Sequence, residues 1–90
     1  MDKVKKMFDA GVSLGTAVRE VLGERGASIR SIATAHDTDR TALSSGINGN
    51  RALSDREINI LVAELGGTNA EWRELLKLEV QRRLAPAASG

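Results

Sequence analysis

Apolar positions along the chain recur at helical spacing, and no stretch alternates with the period of two that a half-buried strand requires. Val4, Met7 and Phe8 form the first cluster, within lysine-rich residues 1–12 that read as an N-terminal arm or short helix. Leu14, Val18, Val21 and Leu22 share the next face, with Ser13 placed to cap its start and Gly26 to stop it. Behind a Ser28 cap, Ile29, Ile32, Ala33 and His36 line a shorter helix. His36-Asp37-Thr38 reads as a tight turn, since Asp is one of the few non-glycine residues that tolerates a left-handed backbone. Asp39 is placed to cap another helix, which runs to about Ile47 or Asn48 and ends at Gly49.

Two capping-box spacings follow, Ser54 with Glu57 and Thr68 with Glu71. The first opens a helix with Ile58, Leu61, Val62 and Leu65 on one side, closed by Gly66-Gly67. The second opens a helix carrying Trp72, Leu75, Leu76, Glu79 and Val80, which reaches about Leu84. Residues 85–90, with Pro86 and small side chains, read as a disordered tail. The pattern predicts one all-α domain over residues 13–84, a bundle of five helices, and shows no internal repeat.

Composition narrows the function. Ninety residues support one small domain with a modest core, and one Trp, one Phe and no Tyr make that core aliphatic. A formal charge of +1 argues against a non-specific nucleic-acid condenser but leaves room for a local positive face. The absence of cysteine excludes disulfides, thiol catalysis and cysteine-ligated zinc. Asp9 interrupts the apolar run a signal peptide needs, and no run approaches the ~20 residues of a membrane helix, so a cytoplasmic location is the expectation.

Enzymatic readings fare poorly. The only His is predicted on a helix-packing face as a packed neutral imidazole, leaving no base for a Ser or Thr nucleophile. No glycine-rich phosphate loop occurs, and Glu71 and Glu74 alternate with Arg73 and Lys77 as on a solvated surface. A metal at His36 would draw Asp37 and Asp39 from their turn and cap positions. No cofactor and no metal are expected.

The stretch from Ser28 to Gly49 carries the strongest signal. Small Ala33 lets two short helices cross closely, and Leu43, ten positions later, plugs the space between them. The second helix keeps a polar outer face, which is what a DNA major groove admits. These residues resemble the Cro/C1-type (XRE-like) repressors of phage and bacteria over about residues 13–66. Leu14-Gly15 with Val18-Arg19 is similar to that family's first helix, and Ile32-Ala33 to the Leu-Ala pair of its second. Asp39, Leu43 and Ser44 stand at the cap, core and serine positions of its recognition helix, and Asn48-Gly49 at its ending. His36, Asp37 and Gly46 depart from the pattern. Gly46 replaces a usually apolar residue at about 1 kcal/mol of helix propensity, with Ile47 placed to take over the packing.

The resemblance implies a lambda-repressor-like, five-helix bundle with a helix-turn-helix that binds double-stranded DNA. It assigns base reading to Arg40, Thr41 and Ser45, with Ser44 either joining them or facing the neighbouring helix. Phosphate contacts fall to Ser28, Arg30 and Ser31 at the start of one helix, and to Asn48, Asn50 and Arg51 after the other. The implied protein is a phage or prophage-type repressor that forms a homodimer on a palindromic operator. Trp72, Leu75, Leu76 and Val80 either cover the core of their own subunit or serve in part as a dimer surface, with Leu78 and Leu84 adding apolar excess and the Met7–Phe8 arm a second surface. The rivals are a helix-turn-helix protein-interaction module (an adaptor or antirepressor) and an antitoxin that represses its own operon.

Overall fold

Capping side chains decide where five of the six helices begin. The computed structural model describes residues 1–84, so the tail expected at 85–90 lies outside the described residues. Its helices are α1 (Asp2–Asp9), α2 (Leu14–Glu24), α3 (Ile29–Ala35), α4 (Arg40–Ile47), α5 (Asp55–Leu65) and α6 (Asn69–Leu84). Ser13 Oγ accepts the Thr16 amide at 3.3 Å, and Asp39 Oδ1 accepts the Thr41 amide at 3.1 Å. Both predicted boxes close reciprocally. The Glu57 amide donates to Ser54 Oγ at 3.2 Å and the Ser54 amide to Glu57 Oε1 at 2.8 Å. The corresponding Thr68–Glu71 distances are 3.1 and 3.0 Å. Asp37 takes φ +53°, the left-handed conformation expected of the turn.

Six helices stand where five were expected. Residues 2–9 form a helix because Val4 and Phe8, one turn apart, are both buried in the common core. Arg82 of α6 fastens its end: Nη1 donates to the Phe8 carbonyl and Nη2 to the Val12 carbonyl, each at 2.8 Å. The guanidinium also lies 3.9 Å from the Phe8 ring centroid. The arm is therefore part of the core, and Phe8 is no dimer surface.

Among the described residues there is no strand, and no helix is long and apolar enough to cross a membrane. Ala33 and Leu43 are both buried where α3 packs on α4. Gly46 has a packing reason: a Cβ there would fall 2.1 Å from Leu53 Cδ2. Leu53, from the α4–α5 loop, fills the room an apolar side chain at 46 would take, and Ile47 is fully buried beside it.

α6 corrects the dimer expectation. Trp72 is 0 % exposed and Leu75 4 %, so both belong to this chain's own core. Trp72 Nε1 donates to the Gly66 carbonyl at 2.8 Å, which ties α6 to the turn that ends α5. Leu76 is half-buried and Val80 is 39 % exposed, so only this pair, with exposed Leu78 and Leu84, faces outward.

Candidate nucleic-acid interface

The α3–turn–α4 unit presents its polar side to a groove of about 520 Å³, closed on one flank by α2. Arg40, Thr41, Ser44 and Ser45 all line it from α4, with Arg40 and Thr41 exposed and the serines half-buried. Ser28, Arg30 and Asn48 line it too. Residues from two separate sequence segments thus meet on one surface. Their convergence follows from the packing of α4: Leu43, Gly46 and Ile47 are buried, which leaves the opposite side of this short helix turned to the groove.

The pairing of its arginines, rather than the sign of its lining, distinguishes this groove from its neighbour. Its charged lining is Arg19, Arg30 and Arg40, with no carboxylate. Among the described residues, none of these three lies in an ion pair, whereas Arg25, Arg51, Arg73, Arg82 and Arg83 all do. Three arginines that lie in no ion pair among the described residues thus meet on one face of a chain whose formal charge is only +1. Asp39, at the start of α4, uses its carboxylate to accept the Thr41 amide, where the helix dipole favours a negative charge.

Three predicted contacts stand apart. Ser31 is a structural residue. Its Oγ accepts the Ser28 amide at 2.9 Å and donates to the Ser28 carbonyl at 3.0 Å, while the Ser31 amide returns to Ser28 Oγ at 3.0 Å. Asn50 Oδ1 accepts from Arg83 Nη1 at 3.2 Å. Arg51 stays exposed but is engaged by its own chain, donating from Nη1 to the Ala42 carbonyl at 2.8 Å and to Glu57 Oε2 at 3.1 Å. Glu57 is only 7 % exposed, so its charge requires that partner. Asn50 and Arg51 border a second groove of about 380 Å³, floored by Leu53, Ile58, Leu76 and Val80, and away from the polar one.

The turn itself is braced from α5. Arg56 Nη2 donates to the His36 carbonyl at 2.6 Å and Nη1 to Thr38 Oγ1 at 2.7 Å. His36 is no core imidazole: half-exposed, it meets Glu64 Oε2 through Nε2 at 2.8 Å. Arg25 pairs with the other Glu64 oxygen, so one carboxylate joins the ends of α2, α3 and α5. Two residues that hold the site, Arg56 and Glu64, escaped the sequence reading. Each sits on the exposed side of an amphipathic pattern, and nothing in one helix's periodicity reports a neighbour's free carbonyls. Arg19 escaped it as a groove residue because it lies on α2, outside the helix pair.

Glu64 and Glu57 predict an acid limit. The His36 hydrogen bond holds Glu64 below its ordinary 4.5, burial opposes, and Arg25 adds to the lowering. Burial pushes Glu57 up, but the Ser54 amide and hydroxyl and Arg51 together outweigh it, leaving the group low. Both folded values are depressed, so the stability they contribute is complete above the ordinary value and drains away as pH falls through the folded ones. Thermal melts across the acid limb should show a falling midpoint that flattens in Glu57→Gln and Glu64→Gln. An acid limb unchanged in both variants contradicts this.

Compared with known proteins, the chain matches no family model, no curated protein and no solved structure.

Proposed function

We propose that this chain is a sequence-specific double-stranded DNA-binding transcriptional regulator, a repressor of phage or prophage type with a lambda-repressor-like, Cro/C1-type helix-turn-helix. The observation that carries this reading is the groove lined by Arg19, Arg30 and Arg40 without a carboxylate, beside the hydrogen-bonding side chains of α4. α4 enters the major groove. Arg40, exposed at its first turn, donates two hydrogen bonds to guanine O6 and N7. Thr41 and Ser45 read adjacent edges or a thymine methyl, and Arg30 and Ser28 hold the phosphates that set the register.

Pairing of two subunits follows from length. Eight residues of α4 span about 12 Å, which covers too few base pairs for a selective site. Two copies reading half-sites about 34 Å apart on a palindrome supply the rest. Leu76, Val80 and Leu84, one helical turn apart in succession on α6, are the surface assigned to that pairing.

Selection from a random duplex library tests the reading, and an enriched palindrome is the expected result. On that operator Arg40→Ala should cost about 1–3 kcal/mol and relax preference at one base pair per half-site. No enrichment of any sequence would sink the regulator reading in favour of a protein-interaction module.

A further inference from the structure

Asn48 ends α4 as its C-cap and faces α2 across the polar groove. Arg19 Nη2 donates to Asn48 Oδ1 at 2.8 Å. A guanidinium has donors only, so the amide oxygen must be the end turned toward it. The Asn48 NH2 group then points the other way. It has no hydrogen-bond partner among the described residues, and no buried side-chain nitrogen or oxygen is left unpartnered, so this NH2 reaches solvent.

Gly15, one turn before Arg19 on α2, makes the arrangement possible. A Cβ at Gly15 would fall 2.2 Å from Asn48 Oδ1, so any side chain there would expel the amide oxygen from its place against α2. Three residues from two helices therefore build one feature. An amide of fixed orientation stands beside an arginine that has no carboxylate partner among the described residues.

We infer that Arg19 aims and completes the phosphate contact already expected of Asn48, so that the two form a single clamp on the duplex backbone, an inference that rests on the DNA-binding reading. Arg19 holds the amide oxygen, which aims the Asn48 N–H donors at a phosphate oxygen, and its remaining guanidinium N–H groups supply the charge. Asn48 is the contact, and Arg19 is both contact and positioning residue. The clamp carries no sequence information, so it adds equally to every duplex.

Asn48→Asp keeps an acceptor for Arg19 but adds a charge that repels any nearby phosphate, so Asn48→Ala, which removes the donors without a charge, is measured beside it. Both full chains should stay folded in thermal melts and yet bind a fluorescein-labelled random-sequence duplex about tenfold or more weakly. Arg19→Gln should lower the slope of log affinity against log salt by about 0.9, and Arg19→Lys should restore it. The Asn48 side-chain amide resonances should shift with the duplex and stay in place with inorganic phosphate at equal ionic strength. Equal shifts with both would make the site a free-anion site and overturn the duplex clamp. Asn48→Ala and Arg19→Gln that bind the random duplex within about twofold of wild type, with an unchanged salt slope, also overturn it. A wild-type chain that binds no duplex overturns the DNA reading, and the clamp with it.

Discussion

Trp72→Ala should remove about 3–5 kcal/mol of stability, since a fully buried indole is replaced by a cavity that the helices around it cannot close. In a domain of this size, that lowers the melting temperature by on the order of 20 °C or more. The loss has two parts. Trp72 is the largest side chain in the core, and its Nε1 hydrogen bond of 2.8 Å to the Gly66 carbonyl holds the turn between α5 and α6. Trp72→Phe keeps much of the apolar contact and leaves only the carbonyl unpaired, so its loss should be clearly smaller. Thermal melts at two protein concentrations check the assignment. A Trp72→Ala protein that melts like wild type but dissociates as a dimer would return this residue to an interface role.

Glu79→Ala should cost about 2–3 kcal/mol, although glutamate on a long polar helix is ordinarily a surface residue. Here the carboxylate is 4 % exposed and accepts the Leu14 amide at 2.9 Å, one of the donors that the start of α2 cannot satisfy within the helix. A negative charge at that end is also favoured by the helix dipole. The same carboxylate lies 3.5 Å from Arg82 and 3.6 Å from Arg83. Arg82 in turn fastens the end of α1, and Arg83 donates to Asn50 in the loop after α4. Both arginines stay partly exposed and rehydrate when Glu79 is removed. That keeps the loss below the about 3–5 kcal/mol of a fully buried pair broken on one side. Glu79→Gln retains an acceptor for the Leu14 amide and should lose less. Hydrogen exchange gives the specific readout: Leu14 amide protection should collapse in the alanine variant and largely survive in the glutamine one. Undiminished protection in Glu79→Ala would show that this carboxylate does not cap α2.

Local chemistry was legible in the chain. Helix starts at Ser13, Ser28, Asp39, Ser54 and Thr68 could be read because a cap and the amides it satisfies lie within three residues of each other. The left-handed turn at Asp37 was legible for the same reason, as was the grouping of Arg40, Thr41, Ser44 and Ser45 on one face of α4. Periodicity of 3.6 residues determines which side chains share a face, whatever that face meets.

What meets each face is a property of the packed chain. Trp72 and Leu75 showed an apolar stripe in the sequence, but whether the stripe covers its own core or another subunit depends on how α5 and α6 close. Arg51 looked like a loop cation free for phosphate until packing buried Glu57 beside it, and burial of one charge compels the pairing of the other. Phe8 and Glu79 are buried by contacts far along the chain: Arg82 of α6 holds the Phe8 carbonyl, and Glu79 accepts the Leu14 amide. Arg19 reached the groove because Gly15, without a Cβ, admits the Asn48 amide beside α2. The sequence by itself determined α2 to α6, their caps and the polar face of α4, since those depend on neighbours along the chain. Tertiary structure alone decided which cations remain unpaired around the groove, because charge pairing and burial depend on distances that close only when the helices pack.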